Sequence, residues 1–483
     1  MLQRTNLIWL LGTLLLVRII AMVVVPLADT TEPRYAEIAR LMLTTNDWIT
    51  PWFEPDVPFW GKPPLSFWAQ ALSFKLFGIN EFAGRLPALL AFIATAWMLW
   101  RMAVSAVSAH VAAASVVVYS SMLLTFLAAG TVMTDPYLAL GTTWAMVAFY
   151  LAPKENVWYW RYGVFIGLGI GLLAKGPLAI VIAGAPIGLW VLFQGKLMHY
   201  LRTMPWIRGT LLTLLIALPW YILAELKTPG FINYFIVGEH FMRFVDPGWM
   251  GDLYGHAHKE AKGMIWLHWL AGSTPWGPLA LLLLVGHMLT ASLRKTVWHA
   301  LKQPVVIYAL LWALVTPVFF TAAGNVIWTY VLPSMPAFAL LMGWAMVKLN
   351  NGQKWRKLGF IFVMWFMPIA GLIFSAFIAN NNNLMKTEKT IAEYVAQQPQ
   401  IGDNSNWSRL YYLAPKLEFS ARFYSHDKAK PVKMGQLENL VMQQQGVFLA
   451  VPTDQWETTV AHFGARLEPR IENMRFKLAF LKP

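Results

Sequence analysis

The chain has 483 residues, of which 57% are hydrophobic and 13% are charged, and its formal net charge is +14. A soluble globular chain carries roughly a quarter charged residues, so this composition excludes an ordinary soluble protein. The basic residues lie in short loops between hydrophobic runs, a pattern that orients membrane helices and does not indicate nucleic-acid binding. Cysteine is absent, which excludes disulfides, zinc–thiolate sites and thiol catalysis.

Hydrophobic runs recur over the first 380 residues and predict an α-helical polytopic membrane protein with about eleven to thirteen spans. The first run is too long for a signal peptide and lacks a small-residue cleavage site, so we expect it to be retained. The short run Leu65–Phe77 is expected to form a re-entrant or interfacial helix. The eleven predicted spans cover about residues 6–27, 82–100, 109–128, 136–152, 161–174, 176–194, 209–225, 266–290, 304–320, 329–347 and 358–379.

The basic residues of alternate loops predict a cytoplasmic N-terminus. The opposite, outer side then receives the acid-rich loop 28–64, the turn Thr131–Asp135, the loop Lys227–Gly263 and everything after about residue 380.

The composition becomes polar at Asn380, and residues 384–483 predict a small soluble α/β domain on the outer side. We expect strands at Leu410–Leu413, Gly446–Val451 and Phe476–Leu481 and amphipathic helices at Ile391–Gln397, Gly435–Gln445 and Thr458–Phe463. The sequence therefore predicts a transmembrane domain over 1–380 and a second domain over 384–483.

The first outer loop begins with a predicted helix, which Thr30 or Thr31 can cap and which carries Pro33 in its first turn. Its apolar and polar side chains follow different stripes, as in an amphipathic helix lying at the membrane interface. Asp29 and Glu32 lie at its start, either as functional acids or as groups that cap the helix and solvate the loop. The apolar stripe is Tyr35, Ile38 and Met42, and the polar residues are Arg34, Glu37 and Arg40.

Three further ionisable residues occur in apolar surroundings. Lys62 lies between Trp60-Gly61 and a diproline, which restricts its backbone. Asp135 follows the third span, and Lys175 interrupts the fifth and sixth. Charged residues at membrane depth are costly and indicate function. The alternatives are that Asp135 caps a helix and that Lys175 extends to the interface.

The outer loop before the eighth span combines histidines with carboxylates, which are ligand types that divalent metals accept. Its residues include Glu239, His240, Asp252, His256 and His258, but no H-E-x-x-H or H-x-x-E-H spacing is present. The sequence therefore assigns no metal ligands and predicts no firm cofactor, and it leaves a divalent metal as an alternative.

Acids and bases at an outer membrane boundary suit a reaction on a lipid that carries a phosphate. Lys and Arg would neutralise the phosphate. A carboxylate would take a proton from an attacking hydroxyl. Aromatic side chains would pack against a sugar or an isoprenoid tail.

The motifs D-x-x-E-x-R-Y-A-E-I-A-R, N-D-W-I-T-P and G-K-P-P-L-x-x-W resemble the first outer loop of ArnT-like transferases, bacterial lipid A transferases and their relatives within the GT-C superfamily. That superfamily includes protein O-mannosyltransferases. The resemblance continues through Thr134–Pro136, Ala174–Pro177, Glu239–Phe244 and Trp328–Pro333.

The resemblance implies an inverting glycosyltransferase of the bacterial inner membrane, with its active site and C-terminal domain facing the periplasm. The implied donor is a sugar on polyprenyl (undecaprenyl) phosphate. The implied acceptor is lipopolysaccharide or lipid A, another envelope glycan or a protein. The substrate-binding residues that it implies are Arg34, Tyr35, Lys62, Lys175, Glu239, His240, Arg243 and Tyr330, with Lys62, Arg34 and Tyr330 on the donor phosphate.

The catalytic carboxylate that the resemblance implies belongs to the first loop, with Asp135 as a further acid. Thr31 stands where relatives carry an aspartate, so the base is Asp29 in a shifted loop or Glu32, and Asp29 is favoured. Gly61 stands where relatives often carry glutamate. The alternative function is a transporter of lipids or solutes, which would place its functional charges near the bilayer midplane.

Overall fold

The structure is a computed structural model, and it describes residues 4–246, 249–255, 258–289, 298–348, 354–399, 406–444 and 446–483. It is mostly helical up to Asn380 and mixed beyond, so the predicted fold class is confirmed. The α-helices are Arg4–Val24, Thr31–Thr45, Leu65–Phe77, Glu81–Ala106, Ala109–Ser121, Leu123–Ala128, Asp135–Glu155, Trp158–Lys175, Leu178–Phe193, Leu197–Thr203, Trp206–Lys227, Arg243–Val245, Met264–Gly272, Trp276–Leu289, Pro304–Phe320, Met335–Lys348, Lys354–Asn380, Lys389–Gln397, Phe419–Tyr424, Leu437–Gln444 and Trp456–Phe463. A π-helix covers Asn233–Met242, and 3₁₀ turns cover Trp328–Ser334, Asn382–Leu384, Asn406–Arg409, Met434–Gln436, Thr453–Gln455 and Gly464–Arg466.

Apolar helices of spanning length identify a multi-pass membrane protein. Within the described residues, four helices are long and apolar enough to cross a bilayer, or five if one bent pair forms a single span. Four shorter apolar helices accompany them. Every predicted span coincides with a helix or with two consecutive helices, whereas the count of eleven stays a prediction.

The span predicted over 266–290 is wrong as a continuous helix. It is two helices, Met264–Gly272 and Trp276–Leu289, bent by 106° at a break that contains Pro275. Proline has no N–H to continue the helical pattern. The free carbonyl of Thr274 accepts a hydrogen bond from the Leu123 N–H at 2.8 Å. Leu123 lies at another helix break, which interrupts the predicted span 109–128. This bond satisfies one backbone acceptor at the first break and one backbone donor at the other, as an apolar environment requires.

The helices Asp135–Glu155 and Trp158–Lys175 form a hairpin that brings the start of the first beside the end of the second. They approach closely because small residues face each other: a Cβ on Gly167 would lie 2.5 Å from the Gly141 carbonyl oxygen. Small residues at such contacts let membrane helices pack backbone against backbone. The hairpin places Asp135, at the start of one helix, beside Lys175, at the end of the other.

A five-stranded sheet forms the centre of the C-terminal part. Its strands, in order across the sheet, are β4 (Lys430–Val432), β3 (Leu410–Leu413), β5 (Val447–Pro452), β7 (Phe476–Leu481) and β6 (Leu467–Glu472). β4, β3 and β5 are parallel, and β7 is antiparallel to both of its neighbours. Apolar clusters with helices cover both faces. The predicted strands are confirmed, whereas the polar edge strands β4 and β6 were missed. The strands of the chain are β1 Trp52–Glu54, β2 Val57–Pro58, β3 Leu410–Leu413, β4 Lys430–Val432, β5 Val447–Pro452, β6 Leu467–Glu472 and β7 Phe476–Leu481.

The predicted interfacial helix, Thr31–Thr45, is enclosed by protein. It packs against Leu65–Phe77 and against Phe419–Tyr424 of the C-terminal part. Its polar residues Glu37 and Arg40 are buried and pair with each other at 2.7 Å. An amphipathic helix at the interface would leave this polar side in water, so that expectation is wrong. The C-terminal part covers the helix, and the two charges satisfy each other. The division into domains 1–380 and 384–483 stays a prediction.

We predict that Gly167→Ala lowers the melting temperature of the detergent-purified protein. The new methyl group would collide with the backbone of the facing helix, and overpacking of this kind costs about 1–3 kcal/mol. Gly184→Ala is the matched control, since its added Cβ meets no described atom within 4 Å beyond its own stretch of helix, and alanine favours the helix. Equal melting temperatures for the two variants would contradict the close helix contact.

Candidate active site

A cavity lies where the loop 28–64, the hairpin end and the segment after residue 227 meet. Six of the residues predicted to bind substrate line it: Lys62, Lys175, Glu239, His240, Arg243 and Tyr330. The remaining lining residues are mostly apolar, and they are Pro177, Leu178, Val181, Phe235, Phe244, Phe319, Phe320 and Asn325. The cavity therefore combines polar, mainly basic groups with aromatic and aliphatic ones.

Glu239 joins two cations from distant parts of the chain. Its Oε2 accepts from Lys62 Nζ at 3.1 Å, and its Oε1 accepts from Arg243 Nη1 at 3.1 Å. Burial alone would raise the pKa of Glu239, but Lys62 and Arg243 outweigh it and hold the pKa below its usual value. Likewise, burial alone would lower the pKa of Lys62, but Glu239 raises it. All three groups are therefore charged at neutral pH.

A second ion pair, between Lys175 and Asp135, lies at the end of the helix hairpin. Lys175 Nζ is 2.5 Å from Asp135 Oδ1, and both side chains are only 8% exposed. The same Nζ lies 4.6 Å from the centre of the Tyr330 ring, a cation–π distance. Asp135 thus orients a lysine that faces the cavity.

Gly176 allows the hairpin end to contact the π-helix Asn233–Met242. Its φ is +78°, which favours glycine, and a Cβ there would lie 2.7 Å from the Phe235 ring and 2.9 Å from His240 Nε2. The His240 ring nitrogens lie 2.7 Å from the Phe235 carbonyl oxygen and 3.0 Å from that of Lys175. Burial lowers the pKa of His240, although both carbonyl oxygens oppose the shift. The ring contacts the π-helix and the hairpin.

Arg34 and Tyr35 support the cavity from behind and do not line it. Arg34 Nη1 donates to the Tyr254 carbonyl oxygen at 2.8 Å. The Tyr254 hydroxyl donates to the Pro58 carbonyl oxygen at 2.6 Å and accepts from the Trp60 N–H at 3.0 Å. These bonds fix the segment that leads into Lys62.

The structure gives the two first-loop acids partners that do not line the cavity. Glu32 accepts from Arg85 Nη2 at 2.7 Å and from the Val132 N–H at 2.9 Å. Asp29 accepts from Ser420 and Arg475 of the C-terminal part. Among the described residues, neither acid hydrogen-bonds or pairs with a residue that lines the cavity, whereas Asp135 pairs with Lys175. The catalytic roles stay predictions.

Sequence reasoning missed the aromatic wall and the partners of the acids. Phe235, Phe244, Phe319 and Phe320 belong to a chain rich in phenylalanine, and nothing in their spacing distinguishes a cavity wall from lipid-facing residues. Phe235 and Phe244 flank the E-H-F-M-R motif, and this position next to charged residues was the available signal.

Within the described part of the chain, the structure provides no cluster of ligands to support the divalent-metal alternative. No group of three or more His, Cys, Asp or Glu side chains there comes together as a metal site. His256, which belonged to that hypothesis, lies outside the described residues.

Comparisons with known proteins agree with this architecture. Residues 61–223 match the family model for dolichyl-phosphate-mannose-protein mannosyltransferase. An undecaprenyl phosphate-alpha-4-amino-4-deoxy-L-arabinose arabinosyl transferase of Aeromonas hydrophila subsp. hydrophila is 31% identical over 364 residues, which is 72% of this chain and 61% of the relative. The relative of the same name in Yersinia pestis strain Pestoides F is 30% identical over 68% of this chain and 56% of its own length. The chain therefore spans less than two thirds of these relatives.

The crystal structure of ArnT from Cupriavidus metallidurans bound to undecaprenyl phosphate superposes with a TM-score of 0.75 at 17% identity, over 99% of this chain and 98% of that one. The apo structure of the same protein gives a TM-score of 0.73. This likeness shows the fold of a multi-pass membrane protein of the GT-C type. The chain is ArnT-like, so the resemblance predicted from its sequence motifs is confirmed.

We predict that Lys175→Met and Asp135→Asn each destabilise the purified protein and that the double variant is less destabilised than their sum. Removing one partner of a buried ion pair leaves an uncompensated charge and costs about 3–5 kcal/mol. Thermal unfolding in detergent of the unaltered protein, the two single variants and the double variant measures the coupling energy between the two residues. Additive effects would contradict a direct pair.

Proposed function

We propose that the chain is a glycosyltransferase that moves a sugar from a polyprenyl phosphate to an envelope acceptor. The observation that carries this proposal is the cavity itself: Lys62, Lys175 and Arg243 meet a wall of aromatic and aliphatic side chains. Basic side chains suit a phosphate, and the apolar wall suits the first isoprene units. The protein acts in the bacterial inner membrane with this cavity facing the periplasm.

The cations make phosphate a good leaving group. The acceptor hydroxyl attacks the anomeric carbon from the side opposite the phosphate, and the bond between that carbon and the phosphate oxygen breaks. The electron pair stays on the phosphate, where Lys62, Lys175 and Arg243 stabilise the added charge. The configuration at the anomeric carbon is thereby inverted, and the hydroxyl proton passes to a carboxylate.

We assign Asp135 as the carboxylate that accepts the proton of the acceptor hydroxyl. Of the three predicted acids, it pairs with a residue that lines the cavity, whereas Asp29 and Glu32 are engaged elsewhere. When the donor phosphate attracts Lys175, that lysine shares its charge with the phosphate and Asp135 becomes available to the acceptor.

The names of the relatives suggest the donor to test first. Both are transferases of 4-amino-4-deoxy-L-arabinose from undecaprenyl phosphate, and we propose this class of donor here. Lipid A is the first acceptor to test, followed by other envelope glycans and proteins.

We predict that Lys62→Ala weakens binding of undecaprenyl phosphate in nanodiscs and abolishes sugar transfer in proteoliposomes. The lost charge-assisted contact is worth about 1.5–3 kcal/mol, roughly 10- to 150-fold in affinity. Lys227→Ala is the matched control, because that lysine is more exposed and pairs with Asp47 outside the cavity. Equal affinities for Lys62→Ala and the unaltered protein would overturn the phosphate assignment.

We predict that Asp135→Asn lowers kcat by about 10²- to 10⁴-fold, the range for loss of a general base. Lys175→Met breaks the same pair but keeps the carboxylate, so it should mainly raise KM for the donor. Steady-state transfer rates of both variants, with folding checked by thermal unfolding, separate the two roles. A normal kcat in Asp135→Asn together with a loss in Glu32→Gln or Asp29→Asn would assign the base to the first loop.

A further inference from the structure

We propose that Arg475 of the C-terminal part is a positioning residue for the transfer site, because it holds Asp29 and thereby fixes the first loop that carries Lys62. The expected effect on donor binding rests on the proposed function, whereas the contact between Arg475 and Asp29 can be tested independently of that function. Asp29 is in this account an anchor for the loop and not the base.

Asp29 is saturated by groups of the C-terminal part. Its Oδ1 accepts from the Ser420 N–H at 3.0 Å. Its Oδ2 accepts from Ser420 Oγ at 2.5 Å and from Arg475 Nη2 at 2.6 Å. The Asp29 N–H donates to the Lys386 carbonyl oxygen at 2.8 Å. The carboxylate is 1% exposed, so an acceptor hydroxyl could reach it only after this contact opened.

Arg475 holds a second buried carboxylate at the same time. Its Nη2 lies 2.8 Å from Glu388 Oε1, on a side chain with no exposed surface. Asn473 Nδ2 donates to the other oxygen of Glu388 at 2.9 Å. Burial raises the pKa of Glu388 to about 7, although Arg475 opposes the shift. Removing the guanidinium would leave two carboxylates buried without a cation, which strongly favours opening of the contact.

A second set of contacts fixes the beginning of the same loop. The Leu27 N–H donates to the Tyr424 hydroxyl at 2.8 Å, and that hydroxyl donates to Glu81 Oε1 at 3.0 Å. Lys389 Nζ pairs with the same oxygen at 2.6 Å. The C-terminal part therefore contacts the loop at two adjacent points and not through one isolated bridge.

Packed side chains connect this contact with Lys62. The Phe419 ring lies beside Ser420 and packs on Phe53, with ring centres 5.4 Å apart. Phe53 packs on Tyr254 at 5.1 Å, and the Tyr254 hydroxyl holds the Trp60 N–H, two residues before Lys62. A shift of the C-terminal part thus moves the groups that orient the lysine.

The experiment combines Arg475→Gln, Asp29→Asn and their double variant with Arg475→Lys as the conservative rescue. The matched control is Arg470→Gln, an exposed arginine of the same sheet that pairs locally with Glu468. Two quantities are measured in nanodiscs. The first is hydrogen–deuterium exchange of peptides covering 419–424, where the Ser420 N–H reports the contact. The second is the Kd of undecaprenyl phosphate, with kcat of transfer recorded alongside.

We expect Arg475→Gln to speed exchange at 419–424 and to raise Kd by about 3- to 30-fold, the range for coupling through a packed network. Its kcat should fall by less than tenfold, Arg475→Lys should recover much of the affinity, and the double variant should be no worse than the stronger single variant. The control should match the unaltered protein.

Unchanged hydrogen–deuterium exchange at 419–424 in Arg475→Gln would contradict the contact between Arg475 and Asp29. Faster exchange with an unchanged Kd would overturn its effect on the site. A kcat loss in Asp29→Asn that adds to that of Arg475→Gln would make Asp29 the base and overturn the anchor. If the unaltered protein bound no undecaprenyl phosphate, the proposed function and the positioning role would fall together, and the exchange data would still judge the contact.

Discussion

The cavity depends on one carboxylate that holds two cations from distant parts of the sequence. Glu239 pairs with Lys62 across 177 residues and with Arg243 one helical turn away. In an apolar protein an unpaired buried charge is costly, so this bridge fixes where the first loop meets the π-helix. A second pair, Lys175 with Asp135, fixes the opposite side of the cavity in the same way. The site is a meeting point of ion pairs, to which each segment contributes one member.

These pairs also explain how the site can bind an anion while it is stable without one. Each cation retains further donors after pairing, because an ammonium has three and a guanidinium five. An incoming phosphate can therefore share Lys62 and Arg243 with Glu239 and need not displace it, whereas its attraction of Lys175 makes Asp135 available to the acceptor. The aromatic wall adds an apolar surface at which a lipid chain can lie.

Ionisable residues were predictable from the sequence because they stand out in an apolar chain. Lys62, Lys175, Glu239, His240, Arg243 and Tyr330 were assigned to one substrate site, and the structure brings them together. The partners of charged residues were harder to predict. Asp29 and Arg475, for example, are 446 residues apart, and no local pattern connects them. The burial of Glu37 and Arg40 was missed for the same reason: the helix has an amphipathic period, and only the docked C-terminal part reveals that protein covers its polar side. Breaks within spans depend on tertiary packing, as the bond between Leu123 and Thr274 illustrates.

The most direct test of the account is an experimental structure of the protein in a lipid nanodisc with undecaprenyl phosphate. We predict that the phosphate lies within hydrogen-bond distance of Lys62 Nζ and the Arg243 guanidinium, with the isoprenoid along Phe319 and Phe320. A phosphate bound elsewhere, with the cavity between Lys62 and Tyr330 unoccupied, would contradict it.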